Sequence, residues 1–191
     1  MLSLYSNKKI IQQRGELIVK LKGKNIAMLI GPGYEDLEFW VVYMRMKEEG
    51  ANVDVVGIEK NKEYSSKHGC LTKKADFTAA EVLDEEYDGV LVPGGWTPDK
   101  IRRDKDIVEL VRKNYEAGKI IGLICHAGLV GISAGIVDGK ATGSEGIKDD
   151  IINAGGSWVD QPAFRDGNIV CGRVVKDIPA YCRELISALA E

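Results

Sequence analysis

From residue 25 onward, apolar runs of strand length alternate with stretches of helical period, and few folds accept that alternation. Strands spaced by helices build a parallel sheet, because each return crossover needs a helix that packs on a face of the sheet. NIAMLIG (Asn25 to Gly31) is apolar almost throughout, as expected of a strand covered on both faces. A helix follows from about Glu35 to Glu49, with Gly50 as its C-terminal stop. VDVVGI (Val53 to Ile58) supplies a second strand, and the polar segment from Lys60 to Phe77 is expected to form a hairpin on the sheet edge. Tyr87 to Gly95 is a strand ending in a Gly-Gly turn, and Asp104 to Gly118 carries a helical period. Lys119 to Gly128 runs into Cys125 and His126, Asn168 to Val174 gives a further strand, and IPAYCRELISALA closes the chain as a helix.

Length and charge narrow the function. At roughly 150 residues per domain, 191 residues make one domain with a short extension. Residues 1–24 form that extension and 25–191 the domain. The net charge of -3 argues against nucleic acid, which requires a basic surface to neutralise phosphates. Four scattered cysteines form neither a disulfide framework nor a cluster with zinc-ligand spacing, so no metal or other cofactor is expected. The first 24 residues are basic, and Lys, Gln, Arg and Glu interrupt their apolar runs. No signal peptide or membrane span is expected there, and the expected compartment is the cytoplasm.

In an open parallel sheet, ligands collect beyond the carboxyl ends of the strands. Three such ends carry distinctive residues: GPGYEDLE, PGGWTPDK and ICHAG. Cys125 falls at a strand-to-helix elbow, where a helix N-terminus stabilises a thiolate, so it is a candidate nucleophile. The alternative is a buried thiol that acts as a small hydrophobe. His126 is adjacent, but neighbouring side chains at a turn usually diverge, so it is not automatically the base that takes the thiol proton. His68 reads as a turn or packing residue. Glu35, Asp36 and Glu38 lie at a helix start, where carboxylates are favoured in any case. If Glu38 faces the crevice, its favourable state beside a thiolate is the protonated one. Gly94 and Gly95 allow close backbone approach, and N–H groups of Gly95 and His126 can form an oxyanion hole.

GYEDLE, KHG, LVPGGWTPD, ICHAG, GIKDDIINAG and WVD, in this order, resemble the DJ-1/PfpI superfamily, nearest its PfpI-type intracellular cysteine peptidases. The resemblance covers about residues 25 to 190 and implies a flavodoxin-like α/β three-layer sandwich with a mostly parallel central sheet. It makes Cys125 the nucleophile, Glu38 the acid contacting its sulfur, and His126 the neighbouring histidine, with Glu35 lining the pocket. It further implies that Asp99 from an adjacent subunit orients the histidine, in homo-oligomers that are dimers or hexamers. Two positions depart from the usual pattern. Ala127-Gly128 follow Cys-His where such proteins often have Gly-Pro, and Asp99 stands where the peptidase branch often has Glu.

Three functions follow as expectations, because one fold hosts several chemistries. The first is attack of Cys125 on a small reactive aldehyde to give a hemithioacetal, with Glu38 moving a proton, as in glyoxalase III or deglycase enzymes. The second is peptide or amide hydrolysis by a Cys125, His126 and Asp99 triad. The third is a redox-responsive or chaperone-like stress protein with Cys125 as the oxidisable group.

Overall fold

The computed structural model describes residues 19–191. The chain runs through β1 (Asn25–Leu29), α1 (Asp36–Glu48), β2 (Asn52–Gly57), β3 (Glu63–Ser65), β4 (Thr72–Lys74), β5 (Phe77–Thr78) and β6 (Gly89–Val92). It continues through α2 (Thr97–Ile101), α3 (Lys105–Glu116), β7 (Ile120–Ile124), α4 (Gly128–Ser133), β8 (Lys140–Ala141) and α5 (Lys148–Asn153). β9 (Ser157–Trp158), β10 (Ala163–Asp166), β11 (Ile169–Gly172) and α6 (Ile178–Leu189) complete it. Seven strands form the central sheet in the order β10-β11-β7-β6-β1-β2-β5. All of its pairings are parallel except β10 with β11.

The inner strands are apolar on both faces because both faces are covered. Along β1, Ala27 and Leu29 enter one core while Ile26 and Met28 enter the other, the period-two alternation of an extended chain. Phe39, Val42 and Met46 of α1 and Tyr181 and Leu185 of α6 close one layer. Ile107, Leu110 and Val111 of α3 and Val130 of α4 close the other. The expected three-layer α/β sandwich is therefore the observed architecture. The helices begin and end where their sequence signals stand. Asp104 caps α3 by accepting from the Asp106 and Ile107 N–H groups, each at 3.0 Å, and Gly50 follows α1 with φ +90°.

The segment before β5 differs from expectation. β3 and β4 form a separate antiparallel pair, and the edge of the main sheet is β5, paired with Val56 and Gly57. The hairpin instead folds back on the loop after β1. Gly33 N–H donates to the Ser65 carbonyl at 2.9 Å and Lys67 N–H to the Tyr34 carbonyl at 2.7 Å. These backbone groups find partners there, and the pairing draws the hairpin away from the edge.

Residues 1–18 lie outside the described residues, but the remainder of the expected extension is part of the packed structure. Leu21 is completely buried, its N–H donates to the Glu49 carbonyl at 2.8 Å, and the Lys24 carbonyl accepts from Asn52 at 2.9 Å. No described helix is long and apolar enough to cross a membrane. Leu21→Ala is expected to lower unfolding free energy by about 2 to 5 kcal/mol, the cost of emptying a packed leucine site. Reversible urea denaturation measures it, and a change below about 0.5 kcal/mol would exclude Leu21 from the core.

Candidate active site

The sheet order reverses at β1 and β6, because the chain leaves β1 toward β2 on one side and returns through β6 to β7 on the other. At such a reversal the loops beyond the strand ends part and leave a crevice. The loops after β1, β6 and β7 meet there, so the three distinctive sequence segments come together in space. Isolated bridges from Tyr34 to Gly95 and from Tyr34 to Ser66 tie the first loop to the second and to the hairpin.

Cys125 directly follows β7 and starts a short turn of 3-10 helix that leads into α4. Its φ of +62° lies in the left-handed region that a residue with a Cβ rarely occupies. Such a conformation costs about 1 to 3 kcal/mol and persists only where the surroundings enforce it. Ile124 before it is extended and buried, and Ala127 after it is buried, so both flanks are anchored. The elbow expected from sequence is thus present. His126 does not diverge from its neighbour: its Nδ1 lies 3.3 Å from the Cys125 Sγ. The left-handed turn brings the two side chains together.

Glu38 sits in the first turn of α1 and is completely buried. Glu35 is the N-cap of that helix, accepting from the Leu37 N–H at 2.9 Å and the Glu38 N–H at 2.8 Å. Its carboxylate thereby fixes the turn that carries Glu38 and is committed to that task. The Glu38 Oε2 accepts from the Gly94 N–H at 2.9 Å, while Oε1 meets no hydrogen-bond donor among the described residues. A proton on that oxygen turns it into a donor, with the Cys125 sulfur as the neighbouring acceptor. Gly94 is required by space, since a Cβ there would press on the Glu38 carboxyl and lie 2.7 Å from the Cys125 Cβ. Gly95 is required by its φ of +79°.

Burial, followed by the charge of Glu35, pushes Glu38 up to about 7. Burial, followed by the charge of Glu38, pushes the Cys125 thiol up to about 12. The expected lowering of the thiol by the following helix is outweighed, because α4 is only six residues long and starts three residues later, at Gly128. Backbone N–H groups of His126 and Gly95 do favour the sulfur anion. They face the sulfur itself, whereas the sequence suggested them for a substrate oxyanion, and the Gly94 N–H is occupied by Glu38. Two acids in contact repel when both are charged. A proton on Glu38 removes the second-largest influence holding the thiol neutral.

His126 is half-buried, and burial, followed by the charge of Lys67, lowers its pKa. Among the described residues no carboxylate hydrogen-bonds its ring. Asp99 is exposed near the start of α2 and lines the same cavity of about 450 Å³ as Cys125 and His126. Lys67, Trp96 and Lys100 also line it, and sequence reasoning did not single them out. Their signal was position, since Lys67 belongs to KHG and Trp96 and Lys100 flank Asp99 in PGGWTPDK. One group of metal-ligand type occurs among the described residues, Glu35, Asp36 and His68. Glu35 is spent on its cap, and Asp36 Oδ2 lies 2.8 Å from His68 Nδ1. These atoms already satisfy one another.

The raised Glu38 pKa has a consequence for stability. The folded state holds this proton more tightly than the unfolded chain. The stabilisation is therefore complete below pH 4.5, the ordinary glutamate value, and is lost as pH rises to about 7. Relative to Glu38→Gln, the native protein is expected to lose on the order of 3 kcal/mol between pH 4.5 and 8. Parallel urea titrations across that range measure it, and a constant difference would assign Glu38 an unshifted carboxyl.

Comparison with known proteins agrees with this architecture. The DJ-1/PfpI family model matches residues 24–188. Deglycase PfpI of Pyrococcus furiosus is 39% identical over 165 residues, which cover 86% of this chain and 98% of that protein. General stress protein 18 of Bacillus subtilis is 33% identical over 169 residues, covering 87% and 98%. A solved two-domain protein of Anabaena variabilis, containing DJ-1/ThiJ/PfpI-like and ferritin-like domains, superposes with a TM-score of 0.84 at 36% identity. That match covers 87% of this chain and 48% of the two-domain protein. With the family match spanning nearly all of the described residues, the chain belongs to the DJ-1/PfpI family.

Proposed function

We propose that the chain is a cysteine-dependent enzyme of the glyoxalase III or deglycase type, acting on small reactive aldehydes and on their adducts. The observation that carries this is the completely buried Glu38 carboxyl packed beside the Cys125 thiol, with one oxygen held by the Gly94 N–H and the other without a partner among the described residues; burial pushes its pKa up to about 7. A group with that pKa can both give and take a proton at the same atom. The name deglycase, carried by a relative that is 39% identical, supports the same assignment.

With methylglyoxal as substrate, the Cys125 sulfur adds to the aldehyde carbon, and the new oxygen takes a proton to complete a hemithioacetal. Glu38, now ionised, removes the proton on that carbon, and the electron pair moves onto the neighbouring carbonyl oxygen to form an enediolate. The hydroxyl proton passes from the first oxygen to the second, and the proton held by Glu38 goes to the second carbon, leaving a thioester of a 2-hydroxy acid and an ionised Glu38. Water then cleaves the thioester, releasing the acid and restoring the thiol. His126, with Nδ1 3.3 Å from the sulfur, is placed to take the thiol proton on attack and return it on release.

Amide hydrolysis is the second reading, favoured by a histidine ring 3.3 Å from the Cys125 sulfur that no carboxylate of its own chain hydrogen-bonds among the described residues. It requires an Asp99 from an adjacent copy to orient His126, in an oligomer whose interface completes the site. An amide leaving group must be protonated, so an unoriented histidine serves it poorly.

Cys125→Ala is expected to abolish 2-hydroxy acid formation from methylglyoxal. Glu38→Gln should lower kcat at least about 100-fold, as loss of a general acid-base group does, while Cys125 still reacts with iodoacetamide. Full turnover by Cys125→Ala would overturn the proposal. Asp99→Ala separates the two chemistries when methylglyoxal and a fluorogenic peptide are assayed side by side. Loss of peptide cleavage alone assigns Asp99 to amide hydrolysis, and no effect on either removes it from the machinery.

A further inference from the structure

The rim of the Cys125 cavity is cationic. Lys67 and Lys100 line it against one carboxylate, Asp99, which leaves one positive charge in surplus. Burial, followed by the charge of Lys67, lowers the His126 pKa and so disfavours a further positive charge there. Among the described residues, neither lysine ammonium forms an ion pair. Lys100 lies 5.8 Å from the centroid of the Trp96 ring, which is 57% exposed. Lys67 acts on both His126 and Glu38, so its charge is felt on both sides of the sulfur.

Lys67 is also held in place. Its own N–H donates to the Tyr34 carbonyl at 2.7 Å, and the preceding Ser66 is buried in a bridge to Tyr34. The following His68 contacts Asp36 Oδ2 through Nδ1 at 2.8 Å and through its backbone N–H at 3.3 Å. Asp36 belongs to the same first helical turn as Glu38, so the lysine backbone is pinned to the segment that carries the buried acid. Histidine 68 thereby acquires a positioning task that packing alone did not suggest.

We infer that this site selects anionic carbonyl substrates, meaning an aldehyde or its thiol adduct that bears a carboxylate within reach of Lys67 and Lys100. The identity of the reacting carbon rests on the proposed aldehyde chemistry, but the charge selection itself does not. A reacting pair that carries a negative charge repels an anion, and the one positive charge that Lys67 and Lys100 leave in surplus over Asp99 at the entrance offsets that repulsion.

Alkylation of Cys125 tests the selection without turnover. Iodoacetate and iodoacetamide lose iodide to the same thiolate and differ in one charge. Their rate ratio at Cys125, read by site-resolved mass spectrometry, is compared with the ratio at free N-acetylcysteinamide in the same tube. The ratio at Cys125 is expected to exceed the free-thiol ratio at least about threefold at low salt. It should fall toward the free-thiol value at high salt and in Lys67→Met and Lys100→Met, and Lys67→Arg should restore it. A ratio equal to that of the free thiol, and insensitive to salt, would overturn the inference.

Turnover separates this outcome from failure of the functional proposal. The hemithioacetals of methylglyoxal with N-acetylcysteine and with its amide present one reacting carbon with and without a carboxylate. Preferred kcat/KM for the anionic adduct, lost in Lys67→Met, supports the inference. Equal, salt-independent kcat/KM values, with the alkylation ratio at the free-thiol level, defeat it and leave the aldehyde chemistry standing. No turnover of either adduct, with the alkylation ratio still raised, defeats the aldehyde chemistry and leaves charge selection standing.

Discussion

Two acids side by side, the buried Glu38 carboxyl and the half-buried Cys125 thiol, repel when both are ionised, and much of the local fold serves to keep them adjacent. Each is held by a different device. Glu38 is fixed by a helical turn that Glu35 caps and by the Gly94 N–H. Cys125 is fixed by a backbone conformation that its flanking buried residues enforce. A glycine at position 94 is what lets the two meet, because any side chain there would stand between them. The reactive chemistry is thus a property of three loop ends at one topological reversal, and no single element contains it.

Much of this was readable in the residues. Apolar runs identified the inner strands because full burial on both faces leaves no polar positions to confuse the pattern. Asp104 and Gly50 marked helix ends by local chemistry alone. The elbow at Cys125 followed from a strand running directly into small residues. The hairpin was misplaced because its partner, the Tyr34 loop, lies about 30 residues away in sequence and pairs through backbone groups, which carry no residue-type signal. The direction of the Cys125 shift was missed for a related reason. Burial is a collective property of the packed layers, whereas the short helix that was expected to counter it could be seen locally.

The lysine rim belongs to the same class of hidden feature. Lys67 and Lys100 are separated by more than thirty positions and come together only because the β3 and β4 pair folds over the strand ends. Nothing in a solvent-exposed lysine distinguishes it in sequence from many others. The Asp36 and His68 contact gives the distinction after the fact, since it spends a carboxylate of the helix start on holding a turn. The acidic motif of that helix start therefore divides its labour: Glu35 caps, Asp36 holds the hairpin, and Glu38 faces the sulfur.

The two borders of the central sheet differ, and both discourage growth. One ends in β5, a strand of only two residues that offers almost no length for another chain to pair with. The other ends in β10, which turns antiparallel and exposes Arg165 and Asp166 toward its end. Short or charged borders are a recognised protection against strand-to-strand aggregation. For the central sheet, then, pairing edge to edge with another copy is the disfavoured route to association, and that restriction is written into its two outermost strands.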